Sequence, residues 1–252
     1  WYNVEFRAMK GEKVISEVVV VKVGMGEIFI GAGQSNSTNS GEETISQSTG
    51  MVSSFSGINW QLSEDPQPGC IDQSTGGSFW PALGDELFEK YGVPIGVAPT
   101  GMGGSSVMQW EPNGDCFSWM MTRIHQFGRD GFRAVLWHQG ETDVEMDSLA
   151  YVKRLAIVIR ESTRQAGWVF PWFVAKVSYH SPEMPSRQTT RAAHQMLWDF
   201  GIALEGPDTD VLTDDHRDAQ GLGIHFSPKG LKAHGKMWAE KVGAYLDMKF
   251  SK

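Results

Sequence analysis

Residues 27–37 read Glu-Ile-Phe-Ile-Gly-Ala-Gly-Gln-Ser-Asn-Ser. The run Glu27–Ile30 is short, apolar and β-branched, which predicts a buried strand. Small residues follow it, then a serine. In open α/β sheets ligands bind beyond the carboxyl ends of the strands, so this serine is placed like a nucleophile. Further strand-like runs are Val18–Val23, Ile95–Ala98, Ala134–Trp137 and Trp172–Val177, with Val211–Leu212 as a short last one. Helical spacing of apolar residues marks Ala82–Tyr91, Leu149–Ala166, Arg187–Phe200 and Pro228–Leu246, the last with Ser227 as N-cap and Pro228 at the first helical position. Strands alternating with helices predict a parallel sheet of about five strands wrapped on both faces.

Residues 1–24 stand outside that rhythm. They read as β-rich, with a turn at Lys10–Gly11–Glu12, either as the remnant of an upstream β-module or as strands added to the sheet. Residues 25–252 then form the main domain. Residues 37–80 are rich in Ser, Gly, Thr and Pro, and a long segment of this kind inside a compact domain is usually functional. The 252 residues are 40% hydrophobic and 21% charged, which supports a real core and excludes disorder as the main theme. The balance of 22 basic against 30 acidic residues, with no basic cluster, argues against nucleic acid or an anionic membrane surface as partner. No apolar stretch approaches the ~18 residues of a membrane span. The two cysteines, Cys70 and Cys116, lie in loop-like sequence and form no metal-binding pair; whether they join in a disulfide is left open.

Three more segments carry chemistry. His225, in Gly-Ile-His-Phe-Ser-Pro (223–228), lies just before the last helix and suits a general base. Trp-His-Gln-Gly-Glu-Thr-Asp (137–143) follows a strand and offers the Gln139 amide and the Glu141 carboxylate; Asp143 reads as well as a helix cap. Thr-Gly-Met-Gly-Gly-Ser-Ser (100–106) follows another strand, and its glycines let backbone N–H groups approach a developing oxyanion. Read alone, Ser35 is equally a helix cap and each other motif equally a structural turn. Together they bring nucleophile, oxyanion donors, acid and base to strand ends and helix starts of one fold.

In this order and composition the Gly-Gln-Ser-Asn, Gly-Gly-Ser-Ser (ending in Trp110), Trp-His-Gln-Gly-Glu and His-Phe-Ser blocks resemble the SGNH hydrolases, in the sialate O-acetylesterase-like branch close to carbohydrate esterase family six. The blocks span residues 33–228. The resemblance implies a flavodoxin-like three-layer α/β/α sandwich and a serine esterase that needs neither cofactor nor metal. It implies Ser35 as nucleophile and His225 as base, with an oxyanion hole from the Ser35 and Gly104 N–H groups and the Gln139 amide. Gln34, Asn36 and Trp110 are carried over as substrate-binding candidates. One departure stands out. The family often has an aspartate three residues before the histidine, and here that residue is Leu222. Three alternatives stay open: Glu141 as the third member, which the Gln-Gly-Glu block favours; an aspartate among Asp214, Asp215 and Asp218; or a Ser–His dyad.

The resemblance implies an acetylated carbohydrate as substrate, either xylan-type polysaccharide or O-acetyl sialic acid. It implies a secreted or periplasmic address, and the β-rich residues 1–24 point to an upstream carbohydrate-binding module in the full-length protein. Of the ten tryptophans, Trp60, Trp80, Trp110 and Trp119 fall in loop-like sequence where a flat ring suits stacking on sugar. The rival reading is a carbohydrate-binding protein that keeps the fold without the chemistry; Leu222 favours it, and the intact Ser35, Gln139, Glu141 and His225 oppose it.

Overall fold

The computed structural model describes residues 1–251. Two strands open the chain, β1 (Tyr2–Lys10) and β2 (Lys13–Val23), and pair only with each other. The remaining strands are β3 (Glu27–Gly33), β4 (Val52–Phe55), β5 (Trp60–Leu62), β6 (Ile95–Pro99), β7 (Ala134–His138), β8 (Trp172–Lys176) and β9 (Leu204–Asp208). They form one seven-stranded sheet in the order β5-β4-β6-β3-β7-β8-β9. All neighbours are parallel except the edge pair β4–β5. The parallel set therefore has six strands, where sequence pattern predicts about five.

The helices are α1 (Trp80–Tyr91), α2 (Asp115–Phe127), α3 (Ser148–Ala166), α4 (Gln188–Asp199) and a C-terminal helix, Pro228–Phe250. Side chains of a strand alternate between faces, and the core divides accordingly. Phe29, Leu136 and Phe173 pack with α1 and the C-terminal helix through Leu83, Leu87, Trp238 and Val242. Ile30, Val135, Trp137 and Val174 pack with α2, α3 and α4 through Met120, Ile124, Leu155 and Leu197. The result is a sheet between two helical layers. No helix among the described residues is long and apolar enough to cross a membrane.

Three elements depart from the sequence reading. Helix α2 buries Cys116, Phe117, Met120, Met121 and Ile124 at helical spacing, although Asp115–Phe127 reads as loop around its cysteine. Strand β4 lies within the Ser-rich segment; it turns Val52 and Ser54 inward and is held by backbone pairing to β6 rather than by an apolar run. The last strand is Leu204–Asp208, not Val211–Leu212, which falls in and just after a 3-10 turn. It contains Gly206 and Pro207, which an edge strand tolerates.

The strand order places β3 between β6 and β7. From β3 the chain moves outward to β4, returns to β6, then crosses to β7 on the other side. The reversal occurs at the end of β3, where crevices form in such sheets.

The hairpin is exposed on both faces. One face carries Tyr2, Val4 and Phe6 opposite Val23, Val20 and Val18; the other carries Arg7 between Glu5 and Glu17. Its ties to the domain are local, such as Trp1 Nε1 donating to Gly50 O (3.1 Å). Removal of residues 1–23 is expected to change the unfolding free energy of the main domain by less than about 1 kcal/mol; urea denaturation of the full and shortened chains measures it.

Candidate active site

Strand β3 ends at Gly33, and the chain turns at once into a single 3-10 turn, Ser35–Ser37. The turn is closed by Ser37 N and Oγ donating to Gln34 O, and by Thr38 N and Oγ1 donating to Ser35 O. Ser35 is 8% exposed, so only the tip of its side chain reaches solvent.

The next residue joins the site together. Asn36 Nδ2 donates to Glu141 Oε1 (2.9 Å) and to Ile224 O (3.2 Å). Ile224 precedes His225, so the residue after Ser35 grips the peptide before the histidine. Ile224 O also accepts from Arg217 Nη1 (2.8 Å). Arg217 is buried, and its other donors reach Leu212 O (2.6 Å) and Thr209 O (2.9 Å). Its guanidinium lies 3.8 Å from the Tyr179 ring centre and 4.3 Å from that of Phe226. Burial lowers its pKa to about 10, which leaves it charged at neutral pH.

The carboxylate beside His225 is Asp218. Its Oδ2 is 3.5 Å from His225 Nδ1, and its Oδ1 accepts from the His225 backbone N–H (3.0 Å). Glu141 is elsewhere, bonded to Asn36 and His138, and makes no hydrogen bond to His225. A local hairpin puts Asp218 in place. Asp218 N donates to His225 O, Gly223 N donates to Asp218 O, and Arg217 pairs with Phe226. At the tip Ala219, Gln220 and Gly221 adopt left-handed φ of 48°, 61° and 89°. Gly223 is required for fit: a Cβ there would meet Asp218 Oδ1 at 1.8 Å. Leu222, in the position where an aspartate was looked for, is 65% exposed at this tip. For Asp218, burial would raise the pKa, but the hydrogen bond and charge of His225 outweigh it and hold the carboxyl below its usual range.

Glu141 is 3% exposed. Burial alone would raise its pKa. The hydrogen bond and charge interaction with His138 Nε2 (3.3 Å) and the Asn36 bond reverse that and bring it to about 2. Its backbone carbonyl accepts from His180 Nε2 (2.6 Å). Glu141 is therefore a buried anion that anchors Asn36.

Gln139 is not placed as an oxyanion donor. It is fully buried, and its amide nitrogen faces Asp143 Oδ2 (2.7 Å), Ser105 O (3.1 Å) and Gln34 Oε1 (3.2 Å), which engage both protons. Gln34 Oε1 also accepts from the N–H groups of Gly140 (3.3 Å) and Thr142 (3.0 Å). Gln34 and Asn36 thus brace the site from inside instead of lining it. Trp110 is fully buried, with its indole N–H on Ser105 Oγ (2.9 Å), so it offers no face to a sugar. Trp80 is likewise buried, and Trp60 packs on Phe55 and Phe127 at the sheet edge. Trp119, 38% exposed, donates to Gly69 O (2.7 Å).

The loop after β6 lies against the serine. Its Met102, Gly103 and Ser105 N–H groups donate to Gly33 O, Asp72 Oδ2 and Met102 O. That leaves exposed Gly104, at φ +68°, as the donor for a ligand. Two acidic residues hold this region: Asp143, which the sequence reads as a helix cap, and Asp72, which it does not single out. Asp143 accepts from Gln139, Ser106 Oγ and Val107 N, each at 2.7 Å. Asp72 accepts from Gly103 N (2.7 Å), Ser74 N (3.1 Å) and Ser74 Oγ (2.8 Å). The four-residue offset from Gln139 was the one available hint for Asp143; Asp72 gave none in a loop of mixed polar residues.

Cys70 and Cys116 are free and buried. Among the described residues no three His, Cys, Asp or Glu side chains converge as a metal site would need. The arrangement pairs an imidazole with a carboxylate, His225 with Asp218, and ties that hairpin through Asn36 to the turn that carries Ser35.

Residues 25–244 match the family described as carbohydrate esterase, sialic acid-specific acetylesterase. A probable carbohydrate esterase from Arabidopsis thaliana is 30% identical over 95 residues, a stretch that is 34% of this chain and only 36% of that protein. A solved structure of an Arabidopsis thaliana protein superposes with TM-score 0.65 at 18% identity, covering 88% of this chain and 98% of that one. A carbohydrate acetylesterase from Xanthomonas citri gives TM-score 0.64 at 15% identity; the match covers 90% of this chain and 58% of the longer Xanthomonas protein.

Replacing Glu141 with Gln is expected to cost about 1–3 kcal/mol of stability at pH 7, because a neutral amide takes the place of the buried carboxylate that accepts from Asn36. Glu141 has a folded pKa below its unfolded value of 4.5. Its contribution is present above that value and is lost as pH falls towards 2. The gap between wild type and E141Q should therefore narrow across pH 4.5 to 2, read by urea unfolding at each pH.

Proposed function

The chain belongs to the carbohydrate esterase family described as sialic acid-specific acetylesterases, and from that premise we propose that it is a serine esterase that releases acetate from acetylated carbohydrate of the xylan type. The observation that carries this reading is the pairing of His225 Nδ1 with Asp218, in a hairpin tied to the nucleophile turn through Asn36 and Ile224 O. A histidine fixed at Nδ1 presents Nε2 to its other neighbour, and that is the atom a serine hydroxyl needs as base.

Ser35 Oγ adds to the acetyl carbonyl carbon while His225 Nε2 takes its proton. Asp218 holds Nδ1–H and stabilises the imidazolium that forms. The carbonyl oxygen becomes an oxyanion and accepts from the Ser35 and Gly104 N–H groups. Gln139 acts behind them, keeping the 103–106 loop and Asp143 in place. The tetrahedral intermediate then loses the sugar oxygen, which takes the proton from His225. Water attacks the acetyl-enzyme with His225 again as base; acetate leaves and Ser35 is restored.

Acetate release from acetylated xylan, by wild type beside S35A, tests the activity. The variant is expected to lose essentially all turnover while folding normally, and equal release by both would defeat the reading. D218N is expected to lower kcat by about 10²–10⁴-fold with little change in KM, since an aspartate of this kind fixes tautomer and orientation. A loss confined to KM would remove Asp218 from the series.

A further inference from the structure

We propose that Asp72 makes the site select an uncharged acetylated sugar over an anionic one, such as an acetylated sialic acid; this rests on the esterase reading above and names the substrate class for the same site. The position of Asp72 is fixed by Gly103. A Cβ built on Gly103 lies 3.9 Å from Ser35 Cβ and 2.9 Å from Asp72 Oδ2. Asp72 Oδ2 and Ser35 Cβ therefore both lie within 4 Å of the one point that a Gly103 side chain would occupy, which puts the carboxylate close to the serine. Asp72 is half-buried and its partners are neutral: the Gly103 N–H and the Ser74 N–H and hydroxyl.

The far side of the catalytic hairpin has the same sign. A groove of about 530 Å³ behind its tip is lined by Glu42, Asp214, Asp215 and Leu222. Arg217 is the one cation among the groove's lining residues, and its guanidinium is engaged by three main-chain carbonyls. Lys229 is paired with Asp215 (2.6 Å). Recognition of a substrate carboxylate calls for a guanidinium or ammonium facing it. Here the donors beside Ser35 are backbone N–H groups and the nearby side-chain charge is negative. The hydroxyls of a neutral sugar, by contrast, are donors that carboxylates accept well.

A single substrate carboxylate about 8 Å from Asp72, at an effective dielectric constant of ~40, is disfavoured by about fivefold in kcat/KM. Salt should screen most of that effect. The test compares one O-acetyl sialic acid with its methyl ester, which has the same ring and acetyl group without the charge. An acetylated methyl xyloside serves as a second neutral substrate, and acetate is the readout for all three. At about 10 mM ionic strength the wild type is expected to favour the methyl ester over the free acid by about fivefold, with the preference shrinking towards one in ~0.5 M salt. In D72N the low-salt ratio should fall at least by half, whatever the absolute rate of that variant. A free acid cleaved as well as its ester at low salt would overturn the proposal, as would a ratio that D72N leaves unchanged. Absence of acetate from all three substrates would instead overturn the esterase reading itself.

Discussion

Asn36 uses both protons of its side-chain amide between two segments more than eighty residues apart in sequence: Glu141 after β7 and Ile224 before the C-terminal helix. Most of the site's geometry depends on that bridge. The central strand delivers Ser35 and the hairpin before the last helix delivers His225; this amide joins them, and Glu42 adds a second tie through its N–H on Phe226 O (2.9 Å) and its carboxylate accepting from Ala219 N (3.2 Å). The buried anion behind it makes the bridge rigid. A neutral acceptor would leave Asn36 a choice of partners; a carboxylate with a folded pKa near 2 is a strong and constant one. Such an anion is costly to bury unless it is paired, and His138 supplies the pairing. The conspicuous acid of the Gln-Gly-Glu segment thus acts by position, one residue removed from the chemistry.

Polar side chains do similar work elsewhere. Gln34 and Gln139 look like ligand-facing amides in the sequence, yet each is buried with its polar atoms turned to neighbouring loops. Asp143 ties Gln139 to the start of the 107–110 turn, and Asp72 ties the glycine loop to the segment after the nucleophile. The groups left for a ligand in the proposed reaction are a serine, an imidazole and backbone N–H groups. These are held by buried amides and carboxylates, so their placement depends little on mobile surface side chains.

The parts that sequence made legible were those with a short-range signature. Apolar runs ending in small residues located β3, β6, β7 and β8, and the Ser227–Pro228 start located the last helix, where Ser227 Oγ caps Gly230 N. Ser35 and His225 followed from their places at those ends. The illegible parts depended on partners distant in sequence or on unusual backbone. Strand β4 is a strand because β6 pairs with it, and β9 tolerates its proline because it is an edge. The helical spacing of α2 was present but was outweighed by its loop-like flanks. Asp218 was one of three aspartates in a loop, and nothing in their spacing told which would face the imidazole. Three consecutive left-handed residues and the bare Cα of Gly223 decided it.

That hairpin has a consequence for how the site is partitioned. Asp218 and His225 are opposite members of one ten-residue ladder, closed by its own main-chain bonds from Arg217 to Phe226. Their mutual spacing is a local property, indifferent to the twist of the sheet or the tilt of any helix. The serine alone is placed by the sheet. Substitutions in the core can therefore shift Ser35 relative to an otherwise unaltered Asp218–His225 pair, and changes confined to the hairpin can alter that pair without touching the fold. The serine turn and the histidine hairpin are in this way open to independent variation, joined through Asn36 and Glu42.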